Sequence, residues 1–151
     1  MQFEYWNRNP PASPDDIERV EEKIGALIPE SYRGFILNEN GGDPQFIEYP
    51  LADLDTYSDV NTFFGFGVEP GVESELEELK RHDSFALGML PVACDGYGNL
   101  LLLDLREGRE DVLYWDRLQD FPQSSDGYDC YLIANSFVEF LRVLRPINTR
   151  G

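Results

Sequence analysis

Ile17, Val20 and Ile24 recur three and four positions apart in a stretch otherwise rich in Glu, a spacing that lines one face of a helix and leaves the rest to solvent. Ser13-Pro14-Asp15-Asp16 ahead of them supplies a hydroxyl cap, a proline at the first helical position and carboxylates against the positive end of the helix dipole; Gly25 stops the run. A helix is expected over 14 to 24. Tyr32, Phe35 and Ile36 repeat the pattern after Pro29, over 30 to 38, and Asn40-Gly41-Gly42 ends it with residues that tolerate positive φ. Val72, Leu76 and Leu79 form the narrow apolar seam of a Glu-rich surface helix. Ser136-Phe137-Val138-Glu139 has the form of a capping box; Phe137, Phe140, Leu141 and Leu144 continue it as a helix over 136 to 145, before Pro146.

Elsewhere the signal changes to short apolar runs broken by turn residues, and strands are expected at Phe46 to Tyr49, Thr62 to Phe66, Met89 to Cys94, Leu100 to Leu105 and Val112 to Trp115. Asp95-Gly96-Tyr97-Gly98-Asn99 joins two of them as an antiparallel hairpin. Helices at both ends of a run of hairpin-connected strands indicate an α+β fold: one mixed or antiparallel sheet flanked by the N-terminal helices and a C-terminal helix. With no internal repeat, low-complexity tract or linker, the chain reads as one domain over 1 to 151, its core at about 14 to 145, with a tail from Asn148 that should fray.

Composition supports a packed core, since 42% of the 151 residues are hydrophobic, ten of them Phe and eight Tyr. Charge narrows the partners. Twenty-nine Asp and Glu against twelve Lys and Arg give a net −17, which repels nucleic-acid backbone and anionic lipid and attracts a basic protein. No direct nucleic-acid binding and no membrane association are expected. Met1 to Pro14 has neither a basic nor an apolar leader region, and no run reaches the ~18 to 20 apolar residues of a membrane span, so a cytoplasmic protein is expected. Cys94 and Cys130 are then free, reduced thiols. From Gly34 through Leu79 there is no Lys or Arg, while eleven carboxylates supply either a solvated acidic surface or a continuous negative field that meets a basic partner.

The candidates for chemistry are poor. His82, the single histidine, lies in Lys80-Arg81-His82-Asp83, where cationic residues offset a helix C-terminus. Asp53, Asp55 and Asp59 suggest a calcium loop but lack the glycine and later Glu of an EF-hand. Carboxylate pairs suited to glycoside hydrolysis are too easily found in so acidic a chain to mean anything. Phe64-Gly65-Phe66-Gly67 and the Gly96 to Gly98 turn lack the cation of a phosphate cradle. No catalytic residue, cofactor site or metal site is expected.

The order of segments resembles a known family. Glu22-Lys23-Ile24-Gly25 through Ile28-Pro29-Glu30-Ser31-Tyr32, then Phe35-Ile36 and Asn40-Gly41-Gly42, is similar to the opening signature of the SUKH superfamily, the fungal cell-wall-assembly-regulator-like domains. Phe64-Gly65-Phe66-Gly67, Leu90 through Asn99, Val112 through Asp116 and Ile133 through Leu141 resemble its later motifs, in order, so the likeness spans 17 to 144. Arg117 and Tyr97 depart from the pattern, where relatives often carry His and a small residue. The resemblance implies a mixed sheet flanked by helices and no catalysis. It implies a frequent role as an immunity protein against polymorphic, often nuclease, toxins, with regulatory or scaffolding members that bind a cellular protein or peptide as the alternative. The partner is then a basic toxin domain met by the acidic segment, through Asp53, Asp55 and Asp59 on a loop and Glu69, Glu73, Glu75, Glu77 and Glu78 on or beside a helix whose glutamates face solvent. Asp95 and the aromatics Tyr49, Tyr57, Tyr97 and Tyr128 complete the expected surface, because Tyr supplies interface hot spots. Tyr32, Phe35, Phe137, Phe140 and Trp115 follow the buried periodicity; Trp6 fits either setting.

Overall fold

In a computed structural model of the chain, which describes residues 4–82, 85–116 and 130–147, the cap at Ser13 is reciprocal. Its hydroxyl accepts from the Asp16 amide at 3.2 Å, and the Asp16 carboxylate accepts from the Ser13 amide at 2.8 Å. This starts α1 (Pro14–Ile24), closed by Gly25 in the left-handed conformation. α2 (Glu30–Asn38) buries Tyr32, Phe35 and Ile36, and α3 (Val72–Arg81) buries Val72, Leu76 and Leu79. α4 (Phe137–Val143) follows Ser136, whose hydroxyl accepts from the Glu139 amide at 3.1 Å. It ends earlier than expected because Leu144 turns extended ahead of Arg145, which as the residue before Pro146 disfavours helix.

The strands outnumber the apolar runs that announce them. They are β1 (Tyr5–Arg8), β2 (Gly42–Pro44), β3 (Ile47–Leu51), β4 (Thr56–Val60) and β5 (Thr62–Phe63), then β6 (Met89–Cys94), β7 (Leu100–Asp104), β8 (Asp111–Trp115), β9 (Cys130–Ala134) and β10 (Arg145–Pro146). Two antiparallel sheets replace the single one expected: a seven-stranded sheet in the order β1-β2-β5-β6-β7-β8-β9 and a three-stranded sheet in the order β10-β3-β4. The expected strand at 62 to 66 is cut to Thr62–Phe63, since the chain leaves the ladder after the Phe64 amide donates to the Val92 carbonyl at 2.9 Å, and the Phe66 amide donates to the Asn40 side chain at 2.8 Å. Cys130 opens a strand opposite Trp115.

Every residue of β7, and all of β6 but Cys94, is buried, as expected of central strands covered on both faces. The helices and the small sheet are tied together by aromatics: Tyr32 to Phe137 at 4.7 Å between centroids, Phe35 to Phe63 at 5.3 Å and Tyr49 to Phe140 at 5.4 Å. Each such ring, taken from water, contributes about 2 to 3 kcal/mol. They join α2, α4, β5 and β3 into one core.

Candidate partner-binding site

Alternation along β3 and β4 sends one set of side chains inward and the other outward. Ile47, Tyr49 and Leu51 are buried, whereas Glu48 and Pro50, paired opposite Asp59 and Tyr57, lie on the outer face. Arg145 of β10 joins that face, 3.2 Å from Glu48 with its guanidinium 3.8 Å from the Tyr57 ring centroid. The β6–β7 hairpin reaches the same place. Asp95 holds its turn: Oδ1 accepts from the Tyr97 and Asn99 amides at 2.8 and 2.9 Å, and Oδ2 from the Asn99 side chain at 3.0 Å. The turn brings the Gly96 amide within 3.5 Å of Asp59 and leaves Tyr97 91% exposed.

On its other side Asp59 lines a cleft of about 360 Å³ where the two sheets meet, together with Trp6 of β1, Asp43 of β2 and Phe46 of the β2–β3 turn. Trp6 and Phe46 meet edge to face, centroids 5.6 Å apart, and remain 59% and 58% exposed. Phe46 sits at φ 41°, a left-handed conformation costing an ordinary L residue about 1 to 2 kcal/mol. The Asp43 carboxylate accepts from the Thr62 hydroxyl at 2.8 Å and the Asn7 amide group at 3.2 Å.

Of the residues expected to meet a partner, Asp59, Tyr57 and Tyr97 therefore converge. Asp95 lies beneath this face, buried and engaged in the turn. Tyr49 is a correction: it faces inward, 1% exposed, and burial pushes its phenol far up. The expected acidic loop is a correction too. Asp53 lies in a short 3-10 turn (Ala52–Leu54), its side chain outside the described structure; Asp55 follows at φ 50°, which Asp tolerates, and Asp59 is on a strand. Tyr128 and Arg117 lie outside the described residues.

The α3 glutamates do not all face solvent, because α3 presents one flank to α1. Glu73 accepts from Arg19 at 2.9 Å and lies 3.0 Å from Lys23, which hold its carboxyl below the usual range. Glu75 is half-buried, with one carboxylate oxygen fully enclosed, and Glu78 bonds Arg81 and lies 3.0 Å from His82. Glu39 and Glu48 are likewise met by Arg8 and Arg145. The field is thus interrupted, not continuous. Asp43, Asp55, Asp59, Glu69 and Glu77 meet no cation among the described residues.

Neither Cys94 nor Cys130 forms a disulfide. Register aligns Cys94, Leu100, Trp115 and Cys130 across four adjacent strands, so the two α-carbons stand about 14 Å apart, beyond any disulfide. Burial pushes the Cys94 thiol up to about 11, leaving it a poor nucleophile. Among the described residues no three His, Cys, Asp or Glu converge as metal ligands do, and no helix is long and apolar enough to cross a membrane.

Among the described residues, two antiparallel sheets and four helices make an α+β domain whose exposed rings stand beside carboxylates. The chain belongs to the SMI1/KNR4 family (SUKH-1), whose family model matches residues 11–143. Membership bears out the resemblance read from the motifs and indicates an immunity-protein-like or regulatory domain, in a family that is generally non-catalytic. No curated protein matches the chain significantly.

Sequence reading missed Asp43, Phe46 and Trp6 as one site. Asp43 was one carboxylate among many, and Phe46 read as a strand residue. The only signal for Trp6 was its place among polar neighbours in a segment without apolar periodicity.

Proposed function

We propose that the protein is a cytoplasmic immunity protein that binds a basic toxin domain, a nuclease fitting best, and neutralises it by stoichiometric occlusion without turnover. The observation that carries the reading is the convergence at Asp59, where exposed Trp6, Phe46, Tyr57 and Tyr97 flank carboxylates on a chain of net charge −17. Aromatic anchors supply affinity at interfaces, and complementary charge supplies encounter rate and selectivity. A nuclease offers the matching surface, because a groove that holds phosphates must be basic. Family membership supports a second reading as well, a regulatory scaffold for a basic cellular protein.

Co-expression with the toxin domain encoded beside it in the genome tests the proposal. The expected result is restored growth, a 1:1 complex by light scattering and loss of toxin activity at equimolar protein. Absence of both complex and rescue would overturn it.

A further inference from the structure

We propose that the cleft between the two sheets holds an arginine side chain of the partner, its guanidinium set between the Trp6 and Phe46 rings and the carboxylates of Asp43 and Asp59. The inference rests on the binding role above and deepens it. At about 360 Å³ the cleft is at the small end of ligand sites, ~300 to 1,000 Å³, with room for a side chain and not for a domain. Its aromatic wall is unusual in serving no core: both rings are more than half exposed, and Phe46 keeps a left-handed backbone to stand there.

Its polar side carries one carboxylate from each sheet, and among the described residues neither meets a cation and no Lys or Arg lines the cleft. Arg145, the neighbouring cation on the outer face, is occupied by Glu48 and Tyr57. An anion would be repelled here, and a purely apolar group would desolvate both carboxylates without compensation. A cation satisfies carboxylates and rings together. Arginine fits better than lysine because its planar face stacks on aromatics while its fork of donors can bridge two carboxylates; an ammonium is a point charge.

The two tryptophans make the test self-controlled, since Trp6 is exposed and Trp115 buried. Titrating the full chain with acetyl-Gly-Arg-Gly-amide should move the Trp6 indole N–H resonance saturably, with a midpoint of about 1 mM, and leave that of Trp115 in place. The citrulline peptide, matched in shape but uncharged, should bind at least about fivefold more weakly, and so should the Asp59→Asn variant. Phe46→Asn guards against loss of fold, because Asn tolerates the left-handed turn. It should keep the thermal midpoint and weaken binding by about fivefold or more. Equal shifts from the two peptides, or wild-type binding by Phe46→Asn, would overturn the assignment. The two proposals fail separately. A cleft that takes the arginine peptide in a protein that does not protect cells overturns the immunity reading alone. Protection with wild-type toxin affinity by Phe46→Asn and Asp59→Asn overturns the partner arginine alone.

Discussion

At the scale of single residues, two buried polar groups carry more of the structure than their spacing suggests. Asn40, 3% exposed, donates to the Pro10 and Phe66 carbonyls at 2.8 Å each and accepts from the Phe66 amide at 2.8 Å, so it fastens the N-terminal segment to the loop before α3. Asp104, 2% exposed at the end of β7, accepts from the Arg106 amide at 3.1 Å and its guanidinium at 2.9 Å, and from Arg109 at 3.3 Å. Burial alone would raise its carboxyl pKa, but the Arg106 bonds and charge outweigh burial and hold it below the ordinary value. A carboxyl depressed in the folded state stabilises fully above its unfolded pKa of about 3.9, and that contribution is lost as pH falls through the folded value. Asp104→Asn should therefore cost about 1 to 2 kcal/mol at pH 7, with the deficit closing towards pH 2.5. Urea midpoints measured across that range check this; parallel curves for the two proteins would contradict it.

At the scale of elements, the site depends on a strand with little of its own to hold it. β1 is four residues long and has one partner strand among the described residues, β2, so its position follows from how closely those backbones approach. Gly42 makes that approach possible: at φ 132°, a β-carbon there would lie 2.1 Å from the Asn7 carbonyl oxygen. Gly42→Ala should push β1 off β2, destabilise the protein by about 2 to 4 kcal/mol and dismantle the Trp6 wall of the cleft. Hydrogen exchange discriminates a local from a global loss. Amides of residues 5 to 9 should exchange much faster while those of β7 keep most of their protection, and unchanged protection in β1 would refute the account.

At the scale of the whole molecule, the excess of carboxylates acts as a field whose effective part is smaller than the linear count. Glu39, Glu48, Glu73 and Glu78 are met by cations from elsewhere in the chain, whereas Glu69 and Glu77 are exposed and meet none among the described residues. Reversing Glu69 and Glu77 together to Lys should slow association with the proposed toxin partner by about three- to tenfold at low salt and flatten its salt dependence, with the thermal midpoint unchanged or higher. Stopped-flow rates over a salt series provide the measurement. If rate and salt slope match those of the wild type, these charges serve only solvation.

The sequence by itself determined what local chemistry can specify: α1 through its Ser13 cap and Gly25 stop, α2 and α3 through their apolar spacing, and the β6–β7 hairpin through Asp95 and Gly98. Its motifs also announced the family, because they follow one another over most of the chain. Tertiary structure alone decided the second sheet, whose β10 and β3 join residues as distant as Pro146 and Ile47, and the edge strand β1, set by pairing Asn7 with Asp43. β1 and β10 are too short to show alternation, and the partners of all these strands are chosen by packing, not by neighbours in sequence. The same holds for charge and exposure. Arg19 finds Glu73 across 54 positions, Tyr49 turns inward because it pairs opposite Ser58 on the core face, and Phe46 turns outward because the chain reverses there at positive φ. The site exists only where β1, β2, β3 and β4 meet, a juxtaposition that no local signal encodes.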